Sequence, residues 1–592
     1  METLTSNLVT TDNFELHLLA LRAADEIALD TETTGLNVRN KVDYLMGISY
    51  SVNGSAGYFP FRHPDTNLPR RCLDSLVDAI KTKPLIWHNQ KFDYHSLNTI
   101  GVDPLSFVGQ QYDTMMIAHL INEEWYSKEL DHLCKMLLKE EKIDKEIHKW
   151  GEAFGRENIP ASIMSNYATQ DAVLTRKLLK VLWPRLVAQH IDKVYLETEE
   201  PFCRLLYKME QRGVGTNPEF CAAKARLGRM RMETIARELH FNPGSPKDVG
   251  EYLIEELELP VLRHTDSCIM CTKVGLPPDT HVGKPSFNKA AMEEYDEILQ
   301  DSDNPAAKLI SEYRGWQKAV TSLYEPMLEK VGPDGLIRTE FKQHGTVTGR
   351  LSAQGPNLQQ VPRSSAKKWN GNAKSAFWSG RQGYTLIGWD YSQLELRLAA
   401  AYGQESLLLD EFKSESADPF NVLAPLIFGE LTPETRYDTK TFVYANLYGA
   451  GLKKIAAQLG RPTYEVEELY ENYKRSIPGI MAISNTVSNL VKRRGWVSYW
   501  DGRRRHIRDK SKSYKAWNSV CQGGGAQLVK QAMLRCQDFE DSNCFMVLQV
   551  HDEITFCIKD DFISKYEPLI VEAMTDWPEF GVNFHVEGKI WQ

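Results

Sequence analysis

The hydrophobic pattern marks strands at several places along the chain. Glu26-Ile27-Ala28-Leu29-Asp30 and Met46-Gly47-Ile48-Ser49-Tyr50 alternate as extended segments, and Leu85-Ile86-Trp87 reads as a third, running into His88-Asn89-Gln90. Leu386-Ile387-Gly388-Trp389 is a short apolar run ending at Asp390, with Leu394, Leu396, Leu398 and Ala399 following in helix-forming sequence. Far downstream, Phe545-Met546-Val547-Leu548-Gln549-Val550 and Ile554-Thr555-Phe556 flank His551-Asp552-Glu553, which reads as a hairpin with acids at its tip. Helical spacing runs from Asn166 through Leu174, Leu178, Leu182, Leu186 and Tyr195 to Glu200-Pro201, and it dominates residues 219–330. Steps of four place Arg436, Lys440, Tyr444 and Tyr448 on one helix face.

A chain of 592 residues exceeds one hydrophobic core, so two or more domains are expected. Its 42% apolar and 25% charged content is that of an ordinary globular protein, and no apolar run would span a bilayer. The first residues carry neither a basic region nor an apolar core, so no secretory signal is read there. Ten cysteines without a framework suit a reducing cytoplasm, the expected location. The net charge of −9 does not announce a nucleic-acid binder, but acids and a solvated surface can mask a basic channel. Residues 492–515 carry ten basic side chains against Asp501 and Asp509, with Trp496, Tyr499 and Trp500 between them. That segment reads as a phosphate footprint or as a solvated basic loop.

Two sets of acids bear on chemistry. Asp390 and Asp552, held stiffly at strand ends, suit a pair of Mg²⁺ ions roughly 3.5–4 Å apart for in-line phosphoryl displacement. Either alone reads equally as a helix or turn cap. Asp30 and Glu32 share a face of an extended chain; with Asp93, Asp171 and Tyr167 they make an oxygen-rich set suited to hard divalent cations. Tyr167, one helical turn before Asp171, would orient a water for phosphodiester hydrolysis. A third group, His264, Cys268, Cys271 and His281, offers four zinc ligands, but the spacing is irregular and an unmetallated loop is the simpler reading.

Taken together, the Asp390 and Asp552 stretches resemble the A and C motifs of family A DNA polymerases, and Asp30, Glu32, Asp93, Tyr167 and Asp171 resemble the motifs of DnaQ-like 3′–5′ proofreading exonucleases. Both resemblances have further support. Thr346-Val347-Thr348-Gly349-Arg350-Leu351-Ser352 followed by Pro356-Asn357-Leu358-Gln359 resembles the family signature before the first palm strand. The stripe from Arg436 to Tyr448-Gly449 resembles its B motif on the fingers helix. The resemblance implies an α/β multidomain fold: an RNase H-like exonuclease domain (1–195), then a right hand (196–592). The thumb would cover about 205–325, the palm about 326–412 and 520–592, and the fingers about 413–519.

It also implies roles. Asp390, Asp552 and the Tyr391 carbonyl would hold metal, with Glu553 nearby; Asp30, Glu32, Asp93 and Asp171 would hold a second pair. Two Mg²⁺ are expected per site, with Mn²⁺ as a substitute. Arg436 and Lys440 would bind the incoming phosphates, Lys440 serving as general acid, and Tyr448 would guard the templating position. Gln393, Tyr444 and Glu395 join the nucleotide site. Glu395 is bulky enough to collide with a ribose 2′-OH, which argues against an RNA polymerase. Arg350, Asn518, Gln522, Gln549 and His551 match DNA contacts, and Leu36 and Asn89 match contacts to a single-stranded end. Asp113 reads as structural. Primer-template DNA, a single-stranded DNA end and dNTPs are the expected partners, with no membrane. The layout resembles short phage replicative enzymes.

Two residues depart from the pattern. Phe420 stands in Asp418-Pro419-Phe420 where relatives carry a phosphate-binding His, and Ser513-Tyr514 replaces a Glu-Arg pair. Nucleotide binding then leans on Arg436, Lys440 and Lys515 or a neighbour. A catalytically silent replication scaffold is the non-enzymatic rival, set against the intact acids of both sets.

Overall fold

The structure, a computed structural model, describes residues 7–143, 145–265, 283–300, 302–361, 373–414 and 416–591. The described residues pack as two compact units. One comprises the chain up to Gly213 with 340–354 and 383–590; the other comprises 214–339, 355–382 and the C-terminal Trp591.

The first unit holds two larger sheets and two small hairpins. Strands β1 (Ile27–Thr33), β2 (Leu45–Val52), β3 (Ser55–Pro60), β4 (Leu85–Trp87) and β5 (Gln111–Asp113) lie in the order β3-β2-β1-β4-β5. The central β1 is antiparallel to β2 and parallel to β4. It is buried along its length except at Asp30, because structure covers both of its faces. Helix α1 (Gln90–Asn98) follows β4. Helix α2 (Ala161–Ala188) packs on β1, β2 and β3. It buries Met164, Ala168, Asp171, Ala172, Leu178 and Leu182, the stripe its spacing predicts. Its start is fixed by Pro160 and by Asp65, whose carboxylate accepts from the Ala161 amide at 2.8 Å.

Helix α3 (Glu200–Arg212) leads on from this domain, and its Glu210 is a buried hub. Lys91 and His95 of α1, Arg39, and the Phe341 amide at 2.7 Å all donate to this one carboxylate. Burial alone would raise the Glu210 pKa, but Lys91 and Arg39 hold it well below the usual range. Phe341 lies on β6 (Glu340–Lys342), which pairs with β7 (Ser352–Gln354) as a hairpin whose loop carries Arg350.

The second sheet is fully antiparallel. It contains β8 (Tyr384–Tyr391), β11 (Cys544–Val550), β12 (Glu553–Lys559) and β13 (Val586–Ile590) in the order β11-β12-β8-β13; between β8 and β11 in the chain lies the small hairpin of β9 (Trp496–Ser498) and β10 (Arg504–His506). The predicted hairpin with an acidic tip is therefore β11–β12, with Asp552 in its turn. Helices α4 (Leu394–Gly403), α5 (Pro419–Phe428), α6 (Pro433–Leu447) and α7 (Lys515–Gln537) belong to the same unit; α4 packs on α7 and α5 on α6. Pro433 at the first turn and reciprocal Thr432–Thr435 bonds set the start of α6. Inside α7, Gly523 and Gly524 leave no room for side chains: a Cβ at Gly523 would meet the Tyr499 ring at 2.1 Å, and one at Gly524 the Tyr402 hydroxyl at 2.5 Å.

In the second unit, helices Pro218–Leu239, Lys289–Gln300 and Ala306–Ala319 share a core of Ile235, Val249, Leu253, Met292, Tyr295 and Ile310, in keeping with the helical spacing. A three-stranded sheet joins Phe377–Trp378, Val214–Thr216 and Leu336–Ile337. Of the four candidate zinc ligands, His264 forms a bridge to Pro285, while Cys268, Cys271 and His281 lie outside the described residues.

Candidate active sites

The period of two along β1 brings Asp30 and Glu32 to one face, and α2 delivers Asp171 to the same place. Carboxylate oxygens of these three residues lie within 4.8 Å of one another. Crowded acids in a buried pocket resist ionisation. Burial first, then the charges of Glu32, Asp171 and Asp93, push the Asp30 carboxyl well above its ordinary range. Burial pushes Glu32 up to about 7 although Arg156 pulls the other way. Three hard oxygen donors that strain to shed negative charge are a fitting receptor for Mg²⁺ or Mn²⁺.

Asp93 stands beside this trio. Its Oδ1 accepts from the Thr31 amide at 3.1 Å and the Thr31 hydroxyl at 2.7 Å, so it braces the strand residue between Asp30 and Glu32. Burial, with Glu32 and Asp171 nearby, pushes the Tyr167 phenol up, so it remains a hydroxyl donor. Asp113 accepts from four backbone amides, those of Asn89, Gln90, Met115 and Met116, which is the structural duty expected of it. Asn89 adopts a left-handed conformation, and Leu36 is 87% exposed, so its side chain is open to an incoming strand.

Two cations in this pocket escaped the sequence reading. Lys142 Nζ lies 2.6 Å from Asp171 Oδ2 and 3.3 Å from the Tyr167 hydroxyl. Arg156 donates to Glu32 at 2.8 Å and to the Thr33 carbonyl at 2.9 Å. Neither lies in a motif, and Arg156 stands 124 positions from Glu32, so no local signal marks the pairing.

At the second site, the register of β8 against β12 sets Asp390 directly opposite Glu553, with Asp552 one residue away in the turn. The Tyr391 amide donates to the Asp552 carbonyl at 3.3 Å, tying the two acidic segments together. Arg350 reaches in from its hairpin: Nη2 is 2.5 Å from Glu395 Oε1 and 3.6 Å from Asp552 Oδ1. A side chain at Gly349 would collide with the Arg503 guanidinium at 2.8 Å, and the residue has φ +85°, so glycine is required beside Arg350. The Tyr448 phenol lies close to Glu395, whose carboxyl burial raises above its ordinary value.

The α6 stripe forms as predicted. Tyr444 and Tyr448 stack with centroids 5.9 Å apart, and Phe420 packs on Tyr444 at 5.9 Å. Burial, with the charges of Glu395 and Asp552, pushes the Tyr444 phenol up to about 12, so Tyr444 belongs to the acidic site. Lys440 Nζ lies 5.9 Å from the Phe420 ring, while Arg436 is paired with Asp418 at 2.5 Å. Gln393 opens α4 in a left-handed conformation, and His551 turns the β11–β12 hairpin with φ +58° and receives a bond from Gln549 at its carbonyl. Arg350, Gln549 and His551 line one small cavity; Asn518 and Gln522 sit on α7, one turn apart.

The basic stretch 492–515 is divided by the fold. Arg503 is buried against Glu199, and Arg504 donates to the Gln189 carbonyl. Arg505 pairs with Glu123 at 2.7 Å and Glu124 at 2.9 Å, and His506 also binds Glu123. Arg494 and Arg504 clasp Trp496 at 3.7 and 3.9 Å. Arg503, Arg504 and Arg505 are thus tied inward, while Lys492, Arg493, Arg494, Arg508, Lys510, Lys512 and Lys515 are exposed.

Comparison with known proteins finds two families along the chain. Residues 7–187 match the model of a 3′–5′ exonuclease, and 221–592 match that of DNA polymerase family A. DNA polymerase I of Pseudomonas aeruginosa is 27% identical over 600 residues, covering 95% of this chain and 63% of that protein. The thermostable DNA polymerase I of Thermus aquaticus is 29% identical over 449 residues, 72% of this chain and 51% of its own length. The chain thus spans little more than half the length of these relatives. Its fold is similar to a solved structure described as the POL domain of Pol1 from M. smegmatis in complex with DNA primer-template and dNTP, with a TM-score of 0.82, 22% identity and 99% of each chain covered. With its second and larger part matched to the family model and its carboxylates grouped on two sheets, the chain belongs to DNA polymerase family A and carries a 3′–5′ exonuclease domain before the polymerase domain.

Proposed function

We propose that the protein is a template-directed DNA polymerase that extends a primer 3′-OH with dNTPs and trims mispaired ends with its own exonuclease. The observation that carries this reading is the β8–β12 register, which sets Asp390 opposite Glu553 and beside Asp552, with Glu395 and Arg350 closing one side. Divalent ions, Mg²⁺ by choice, would supply charge neutralisation to attacking and leaving oxygens at each site.

The chain's own residues do the rest. Asp390, the Tyr391 carbonyl and Asp552 would hold the polymerase ions, while Arg436 and Lys440 take the triphosphate. Lys440 gives a proton to the departing pyrophosphate. Tyr448 stacks at the templating position, and Arg350 checks the minor groove, whose acceptors are shared by correct pairs. Asn518, Gln522, Gln549 and His551 contact DNA. In the exonuclease, Asp30, Glu32, Asp93 and Asp171 would hold the ions, Tyr167 orients water, and Leu36 and Asn89 receive the DNA end.

The working division is an exonuclease domain up to about residue 195, followed by thumb, palm and fingers. Among the described residues no helix is long and apolar enough to cross a membrane. Of two settings, a phage-type replicative role and that of a bacterial DNA polymerase I, the named relatives favour the second. Primer extension with Mg²⁺ and dNTPs, repeated with NTPs, tests the reading. Extension with dNTPs is expected; no extension, or equal use of NTPs, refutes it.

A further inference from the structure

Lys142 is held in the exonuclease pocket by its own loop. Gln170, on α2 beside Asp171, brackets that loop: its Oε1 accepts from the Ile143 amide at 2.6 Å and its Nε2 donates to the Glu141 carbonyl at 3.1 Å. Lys177, farther along α2, binds Glu140 at 2.7 Å. The loop is thereby latched along the helix that supplies Tyr167 and Asp171. Between two latched neighbours, the Lys142 side chain is 14% exposed and its ammonium faces Asp171 and Tyr167. A lysine without such a partner would extend into water, where its ammonium is best hydrated. Here a desolvated ammonium is built into the middle of a metal-binding carboxylate cluster.

The ammonium takes Asp171 Oδ2, an oxygen that a divalent ion at the Asp30–Glu32–Asp171 cluster needs. Both cations cannot use that oxygen in the same way. Once the ion has it, Lys142 is repelled by the ion, but the latch restricts how far it can go. On the exonuclease reading, the scissile phosphodiester of a bound DNA end would be the anion left within its reach.

On the exonuclease reading above, we propose that Lys142 is a working residue of the exonuclease: a resident counter-cation that yields Asp171 to the divalent ion and then binds the scissile phosphate. Arg156 has a different place. It is tied to the Thr33 carbonyl as well as Glu32 and stays with the strand.

The test uses the full chain with Asp552→Asn, so that Mn²⁺ binding reports chiefly on the exonuclease cluster. Mn²⁺ affinity is measured by titration calorimetry, and single-stranded DNA digestion by initial rates at saturating Mn²⁺. Lys142→Met is expected to bind Mn²⁺ about tenfold more tightly because the competitor is gone, while its KM for DNA rises about tenfold. Lys142→Arg keeps the charge and is expected to restore KM, which separates the role from simple packing. Unchanged or weaker Mn²⁺ affinity in Lys142→Met overturns the displacement, and an unchanged KM overturns the phosphate contact. If the parent protein neither binds Mn²⁺ at Asp30, Glu32 and Asp171 nor digests DNA, the exonuclease reading falls and this inference with it.

Discussion

On the proposed reading, both carboxylate sites hold divalent ions for phosphoryl transfer, and they are built in opposite ways. In the exonuclease, Glu32 and Asp171 keep only 4% and 5% of their side chains exposed and are countered by Arg156 and Lys142. In the polymerase, Asp552 is 29% exposed in a hairpin turn, and Arg350 leans mainly on Glu395. The first is a closed receptor whose acids already strain against one another. The second is an open ledge that a nucleotide can complete. The contrast fits their proposed tasks, since an exonuclease brings all its ligands to a fraying strand, whereas a polymerase receives part of its charge with each triphosphate.

The largest expected effect breaks the sites apart. Asp30→Ala with Glu32→Ala should lower 3′–5′ digestion by roughly 10³-fold, the scale of losing an electrostatic stabiliser, and leave extension largely intact. Asp552→Ala should do the reverse. Gel assays of both activities on folded variants decide it; joint loss in either variant would defeat the two-site assignment.

Next comes a stability effect peculiar to the closed site. Burial raises Glu32 to about 7, above its unfolded value of 4.5, so the folded metal-free protein binds more protons than the unfolded chain between those pH values. Stability of the metal-free protein therefore falls as pH rises from 4.5 to 7, by about 3 kcal/mol for this group. Asp30 and Asp93 are raised too and act in the same direction. Glu32→Gln should raise the melting temperature in EDTA at pH 8, and Mg²⁺ should stabilise the parent far more than the variant. A melting temperature in EDTA that climbs from pH 5 to pH 8 would contradict the strained-acid picture.

This asymmetry between the sites was partly legible in the sequence. Asp30 and Glu32 two apart on a strand, Tyr167 and Asp171 four apart on a helix, and Asp390 ending an apolar run are all local patterns, and local periodicity survives folding. What was hidden depends on distant partners. Lys142 finds Asp171 across 29 positions, and Arg505 finds Glu123 across 382, so the inward ties of both cations leave no local signal. Glu210 reads as one more helical acid, yet it joins α1, Arg39 and the Arg350 hairpin. Of the fold, the helices of 219–330 and both sheets were foreseeable in kind. The strand order could not be read from spacing alone.

A smaller effect sharpens the open site. Tyr444 occupies the third step of the α6 stripe, and its phenol feels both Glu395 and Asp552. Its hydroxyl can supply a bond that a chain terminator lacking the 3′-OH has lost. A charge-assisted bond of this kind contributes about 1.5–3 kcal/mol, or roughly 10- to 150-fold in relative rate. Tyr444→Phe should increase rejection of dideoxynucleotides by that factor, measured as the ratio of kcat/KM values in an exonuclease-silenced background. Equal discrimination by parent and variant would mean that Tyr444 does not serve the sugar.

The last prediction concerns Glu395, where the open site is most closed. Its carboxylate is 6% exposed and receives the Arg350 guanidinium at 2.5 Å, with the Tyr448 phenol close by. Held by this ion pair and by burial, it cannot swing freely away from an added 2′-hydroxyl, so a ribonucleotide must press against it. Overpacking of this kind costs about 1–3 kcal/mol, or roughly 5- to 150-fold in selectivity. Glu395→Ala removes the wall but also releases Arg350, so extension with dNTPs should weaken while the rNTP-to-dNTP ratio of kcat/KM rises. Glu395→Gln keeps the volume without the charge, and should preserve most of the discrimination. Comparing the two separates bulk from charge. If the glutamine variant admits ribonucleotides as freely as the alanine one, exclusion rests on the Arg350 ion pair rather than on the filled space; if neither ratio changes, another residue sets the sugar choice.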